Sequence, residues 1–473
     1  MKNMKKTLSA ILLLLQVSVP IFSENEAIVP CPPLPTSHQV AWQQMETYAF
    51  VHFGLNTFTD QEWGYGDISP EKFNPTDLDC EQWARVFVEA GMKGVIFTAK
   101  HHDGFCLWPT KYTDYSIRAS PYLDGKGDIV GQLAEACRKY GLKFGLYLSP
   151  WDRHQAFYGT PLYPEYYVLQ MEELLTNYGE LFEIWLDGAN GGDGWYGGAK
   201  EVRKIDSRTY YNIPRIHETV FRLQPQVIIF SDGGPGCRWV GNEKGFAGAT
   251  NWSFLHSNKV FPGYDRSKEL TSGHRDGDVW VPAECDVSIR PGWFYHKAED
   301  EKVKTVDQLV DIYYRSVGHN ATMLLNFPVD RTGRIHPNDS LRAVAFHQRI
   351  QQELGKNLLA DKKKPETDGD FETYTVLHSG SVLELNLPKR TKLNRLLLQE
   401  YIPLGQRAEE FRIDYYDGSA WHPIDAGEET TTIGYKRILR FPAVQARRLR
   451  LTILGSRAPV LISEVAAFYA PEL

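Results

Sequence analysis

The sequence predicts an α/β fold, a (β/α)8-like (TIM) barrel followed by a C-terminal antiparallel β-sandwich. Three observations predict it. Between about residues 47 and 350, apolar strand-like runs alternate with amphipathic helical runs, the pattern of a parallel sheet covered by helices. Roughly 300 residues of such units favour a closed barrel over an open sheet. After a lysine-rich polar stretch at 355–370, the pattern becomes short strands separated by turn residues.

The elements follow in order. "MKNMKKTLSAILLLLQVSVPIFSENEA" places lysines before a short apolar run and polar residues after it. It reads as a signal peptide over 1–27 and implies a periplasmic or secreted protein. The barrel is expected over 28–354. "TYAFVHFGLN" is its first strand, and "DCEQWARVFVEAG" is a helix capped by Asp79 with Gln82 three residues on. "KGVIFTAKHHDG" is the second strand, and "DIVGQLAEACRKYG" is a helix ending on Gly141. "KFGLYLSPWD", "FEIWLDG", "QVIIFSDGGPG" and "GDVWVPAECD" are strands three to six. "TVDQLVDIYYRSVG" is a late helix with a Thr305/Gln308 capping box, and "TMLLNFPVD" is a seventh strand. The linker spans 355–370 and the sandwich 371–473.

Composition excludes several functions. The net charge is −7 and no basic stripe is visible, so nucleic acid is not an expected partner. No strand leads directly into a helix through a GxGxxG or GxxxxGK[ST] turn, and no HxH or HExxH occurs. Neither a cofactor nor a metal is therefore expected. Beyond the N-terminus no run is long and apolar enough to cross a bilayer. The six cysteines form no CxxC pair, and buried free thiols are expected. The chain carries 25 Tyr, 23 Phe and 12 Trp, which suits either a large aromatic core or a surface that stacks on sugar rings.

Chemistry in such a barrel collects at the C-terminal ends of the strands. Reading those ends gives His52, then Glu62 and Trp63 in the following loop. Next come His101, His102 and Asp103, then Tyr147 and Trp151, then Trp185 and Asp187. Asp232, Arg238, Trp239 and Glu243 follow the fifth strand, and Glu284, Asp286 and Trp293 the sixth. Asp187 ends an apolar run and is followed by glycines, which leave its carboxylate uncovered. Each residue alone has an ordinary explanation as a turn, cap or core residue. Their coincidence at one mouth matches a sugar site, in which two carboxyl groups cleave a glycosidic bond.

The stretches "HFGLNTF", "EWGYGD", "GVIFTAKHHDGFCLWPTKYTDYS", "EIWLDGAN", "GPGCRWVGNEKG", "PAECDVSIRPGWFYH" and "LLNFPVDRTGRI" resemble the α-L-fucosidases of glycoside hydrolase family 29. The resemblance covers most of residues 48–335. It implies a retaining exo-hydrolase that removes terminal α-L-fucose from a fucosylated oligosaccharide or glycoconjugate. It assigns the nucleophile to Asp187 and fucose contacts to His52, Glu62, Trp63, His101 and His102, with Tyr147 and Trp185 matching less strictly. The glutamate of "GNE", Glu243, is implied as the acid/base, with Glu284 as the rival. The "GNE" pattern resembles the branch selective for α-1,3/1,4-linked fucose on Lewis-type glycans. Arg238, Trp239 and the segment holding Trp293 would then form the aglycone side. The alternatives are a different glycosidase on the same barrel and a carbohydrate-binding protein with an inactive site.

Overall fold

The computed structural model describes residues 28–188, 195–196, 198–264 and 266–471; the signal peptide expected at 1–27 lies outside them. Eight parallel strands close a barrel in chain order. They are β1 (Thr47–Val51), β2 (Gly94–Lys100), β3 (Lys143–Leu148), β4 (Glu183–Trp185), β5 (Ile228–Ser231), β6 (Cys237–Trp239), β7 (Ala283–Ser288) and β8 (Ala321–Asn326). β8 closes onto β1 with Thr47 opposite Met323 and Phe50 opposite Asn326.

The sequence pattern locates seven of these strands, with two differences. The run expected as the sixth strand is broken: Val279–Trp280 pairs antiparallel with Phe254–Leu255 outside the barrel, and the barrel strand starts only at Ala283. The additional strand is β6, in the segment that follows the fifth predicted strand. It pairs with β5 through Phe230–Cys237 and Ser231–Arg238, with only residues 232–236 between them and no helix. Glycines permit that sharp return. Gly234 has φ +88°, and a Cβ on Gly236 would meet the Ile229 nitrogen at 2.5 Å. A three-residue strand among glycines carries no periodicity to detect.

The helices begin and end where local chemistry requires. Asp79 accepts from the Gln82 N–H at 2.8 Å to start α1 (Cys80–Glu89). Gly141, at φ +71°, ends α2 (Ile129–Tyr140). α3 (Tyr163–Asn177) and α4 (Ile213–Leu223) follow. Both arms of the Thr305/Gln308 box form before α5 (Val306–Ser316), at 3.2 and 2.8 Å. α6 (Pro337–Leu354) completes the coat. Trp83, Phe87, Leu133 and Leu174 from this coat share one core with Val95, Phe97 and Leu146 of the strands.

The C-terminal region is a six-stranded antiparallel sheet. Its strands are β9 (Thr375–Leu377), β10 (Val382–Glu400), β11 (Ala408–Tyr416), β12 (Trp421–Pro423), β13 (Arg437–Ser456) and β14 (Val460–Phe468), in the order β9-β14-β10-β13-β11-β12. It has its own core around Leu396, Leu398, Phe411 and Ile453. It also grips the barrel. Arg437 donates to the Ala249 carbonyl at 2.7 Å, His319 meets Glu428 at 2.8 Å, and Thr432 accepts from the Asn251 N–H at 2.8 Å. These contacts hold the segment that follows Glu243. All six cysteines are free thiols, five of them buried. Among the described residues no helix is long and apolar enough to cross a membrane.

Candidate active site

Successive residues of a strand point to opposite sides, so the inward side chains of a barrel stack in layers. β4 sends Glu183 and Trp185 inward and Ile184 into the outer core. The lower layer holds Tyr48, Glu183, Cys237 and Glu284. Above it lie Phe50, Tyr147, Trp185 and Phe230. Trp185 stacks on Phe230 with ring centres 3.9 Å apart and on Tyr147 at 5.3 Å. This aromatic layer floors a cavity of about 340 Å³, at the small end of the roughly 300–1,000 Å³ typical of ligand pockets. His52, His101, His102, Asp187, Asp232, Trp239, Glu243, Asp286 and Trp293 form its walls and mouth.

Asp187 stands two residues beyond Trp185, on the same side of the chain. Its Oδ2 accepts from the Tyr147 hydroxyl at 2.9 Å and lies 3.6 Å from His102 Nε2. The strand has ended and a glycine follows, and the partly exposed carboxylate lines the cavity. A Cβ on that glycine, Gly188, would meet Asp232 Oδ2 at 2.3 Å. A side chain there would displace the neighbouring wall.

The histidines are oriented by their second nitrogens. Asn326 donates to Ser288 Oγ and the Trp293 carbonyl, both at 2.9 Å, which leaves its Oδ1 to accept from His52 Nδ1 at 2.8 Å. Ser149 donates to the Trp151 carbonyl at 2.6 Å, so its oxygen accepts from His102 Nδ1 at 2.7 Å. These networks assign the proton of both rings to Nδ1 and leave Nε2 as an acceptor. Burial pushes His52 down to about 3. Burial, with the charges of His52, Arg153 and Lys100, does the same for His102. Both rings are neutral at working pH. His101, lowered by burial and by its two histidine neighbours, stacks on Tyr147 at 5.6 Å.

A stability prediction follows. In the unfolded chain His102 titrates near its ordinary value of about 6.5, and in the folded protein near 3. The unfolded state therefore binds more protons across that window, and stability is lost as pH falls from about 6.5 toward 3. Tm is expected to drop more steeply on acidification in wild type than in His102→Asn. The difference in slope should approach one proton, about 1.4 kcal/mol per pH unit. Parallel Tm–pH curves would contradict the neutral assignment.

Glu243 lies at the open side, where Trp293 Nε1 donates to it at 3.4 Å. The same cavity holds two carboxyl groups, Asp286 and Asp232, that the sequence reading noted but did not select for the site. Trp239 Nε1 donates to Asp286 at 2.8 Å. Burial, then the charges of Glu243 and Glu284, push Asp286 well above the usual carboxylate range. Asp232 accepts from the Gly263 N–H at 2.5 Å and is raised by burial to about 6. Phe50, Phe230, Gly263 and Tyr264 also line the cavity and were missed. Phe50 and Phe230 were findable, because each lies two residues before a selected or noted strand-end residue. The Gly263–Tyr264 loop carried no signal.

Two expected site residues lie elsewhere. Arg238 points away from the cavity, as the outward residue between Cys237 and Trp239. It is fully buried and donates to the Leu270 and Val281 carbonyls and, at 2.7 Å, to Asn251. Glu284, the rival acid/base, lies in the layer below the floor. It is fully buried, bonded to Trp185 Nε1 at 2.7 Å, and does not line the cavity. Glu62 does line it, with its carboxylate tied to the Trp293 and Phe294 N–H groups and to His296. Half-exposed Trp63 stands edge-on to His102 at 5.4 Å.

The α-L-fucosidase family model matches residues 21–348. The chain belongs to the α-L-fucosidase family. Its activity is that of an α-L-fucosidase, a glycoside hydrolase, and its solved relatives include members of glycoside hydrolase family 29. Alpha-L-fucosidase 1 of Arabidopsis thaliana is 42% identical over 465 residues, covering 93% of this chain and 88% of its own. The crystal structure of a family 29 member from an unknown rumen bacterium is 49% identical with a TM-score of 0.86, covering 94% of this chain and 78% of that one. A Ruminococcus gnavus family 29 fucosidase in complex with fucose is 31% identical with a TM-score of 0.83, covering 95% and 97%. The floor of Trp185 and Phe230 offers this fucosidase an apolar face, and the neutral His52 and His102 rings line the same cavity.

Proposed function

We propose that this fucosidase is a retaining exo-hydrolase acting on terminal α-1,3/1,4-linked fucose of Lewis-type branched glycans. Asp187 attacks the anomeric carbon while Glu243 protonates the departing glycosidic oxygen. The resulting fucosyl ester is then cleaved by a water that Glu243 deprotonates. The observation that carries this reading is the setting of Asp187. It is a partly exposed carboxylate that lines the cavity, accepts from the Tyr147 hydroxyl and has an aromatic floor beside it. The small floored cavity suits a single terminal sugar. Glu243, Trp239 and Trp293 at its open side are where an aglycone leaves, which supports selection among linkages. The basic-then-apolar N-terminus supports export to the periplasm or medium.

The stereochemical test is proton NMR of the first product. α-L-Fucose appearing ahead of its β anomer fits double displacement, and β-L-fucose first rules it out. Linkage is tested by fucose release from Lewis a and Lewis x trisaccharides, 2'-fucosyllactose and an aryl α-L-fucoside. Cleavage of the two branched sugars alone supports the narrow selectivity. Comparable cleavage of all four leaves the activity standing and removes the selectivity.

A further inference from the structure

The layer below the cavity floor contains two carboxyl groups that the reaction scheme does not use. Glu183 and Glu284 are both fully buried, and together with Cys237 they offer ligand atoms all within 4.8 Å of one another. Neither makes an ion pair among the described residues, and the hydrogen-bond partners around them are neutral. Two carboxylates in such a place would carry two uncompensated buried charges, so the pair must hold a proton.

The surrounding donors decide where it sits. Both oxygens of Glu284 already accept: Oε1 from the Trp185 indole at 2.7 Å and Oε2 from the Tyr48 hydroxyl. Glu183 Oε2 accepts from the Trp42 indole at 2.8 Å, and the donor at its Oε1 is the weak Cys237 thiol at 3.7 Å, with Glu284 alongside. An ionised carboxyl is acceptor-only and a protonated one adds a single donor. The arrangement is satisfied when Glu183 donates and Glu284 accepts from three groups. Burial raises both carboxyls. Glu183 is driven further by the charge of Glu284 and its bond to it, whereas the bonds from Tyr48, Trp185 and Glu183 limit the rise of Glu284.

We propose that Glu284, as a carboxylate braced by neutral Glu183, is the positioning residue that fixes the Trp185 indole, and through it the sugar-binding floor and Tyr147. The chain of contacts is continuous: Glu284 to Trp185 Nε1, Trp185 stacked on Tyr147, and the Tyr147 hydroxyl on Asp187. The proposal rests on the cavity being the fucose site.

The test exploits the asymmetry of the pair. Glu183→Gln keeps a donor toward Glu284 and an acceptor for Trp42. It is expected to hold kcat/KM within about threefold of wild type. Glu284→Gln turns an amide N–H toward the Trp185 or Tyr48 donor and is expected to lower kcat/KM by at least about tenfold. Trp185→Phe removes the other end of the same contact. In the Trp185→Phe background, Glu284→Gln should add less than about threefold, since coupled residues are not additive. Equal effects of the two Gln variants, or multiplicative losses in the double variant, would overturn the proposal. If Glu284→Gln does not fold, infrared difference spectroscopy of folded Glu183→Gln against wild type decides. Loss of a protonated-carboxyl band supports the assignment, and no such loss refutes it. None of these outcomes depends on which carboxylate is the nucleophile or which linkage is cleaved.

Discussion

Asp187→Asn is expected to lower kcat by at least about 10³-fold, about 4 kcal/mol of transition-state stabilisation, on every substrate. An amide retains the size and the acceptor for the Tyr147 hydroxyl, 2.9 Å away, but cannot form the fucosyl ester. Ground-state contacts from the floor and the histidines remain. The Kd for free fucose, measured by calorimetry, should therefore stay within about threefold of wild type. A second arm makes the role specific. Asp187→Gly leaves room for a small external nucleophile, and added azide should restore turnover with β-L-fucosyl azide as product. Residual turnover above a hundredth of wild type in Asp187→Asn, or azide that restores nothing, would remove Asp187 from the nucleophile's role.

The second large effect is expected at Glu243, with its signature in the leaving group. A general acid matters most where the departing oxygen is a poor leaving group. Glu243→Ala should slow cleavage of a Lewis trisaccharide by about 10²–10⁴-fold, and cleavage of an activated aryl fucoside far less. The competing assignment is Asp286, which shares the cavity wall and whose carboxyl is pushed well above the usual carboxylate range by burial and the charge of Glu243. Asp286→Asn retains the acceptor for Trp239. If that variant shows the leaving-group dependence and Glu243→Ala slows both substrates alike, the proton donor is Asp286. Glu284 cannot compete for this role from its place beneath Trp185.

The barrel was legible because each βα unit writes its own pattern. A buried strand is a continuous apolar run, and a covering helix is a stripe with a cap at each end. Asp79, Thr305 and Gly141 mark such ends by local hydrogen bonding or backbone freedom alone. Strand ends were legible for the same reason, so His52, His101, His102, Trp185 and Asp187 could be named before any fold was seen. β6 was not legible: three residues are too few to show a period, and its pairing with β5 is settled by neighbouring backbone.

The sequence by itself determined the kind of chain, the ends of its strands and a short list of chemically able residues. Tertiary structure alone decided which of them face one another. Arg238 and Trp239 are adjacent in the chain, yet strand alternation sends the arginine to the Leu270 and Val281 carbonyls and the tryptophan to the cavity. Glu284 and Asp286 differ by two positions and share a side, and the height of each in the barrel puts one beneath the floor and the other in the wall. Asp232 enters the site only because a glycine-lined return brings β6 beside β5 and Gly263 donates across to it. A sequence lists polar groups along one dimension. Burial, partner and protonation state belong to the packed barrel, where distances between strands far apart in the chain are set.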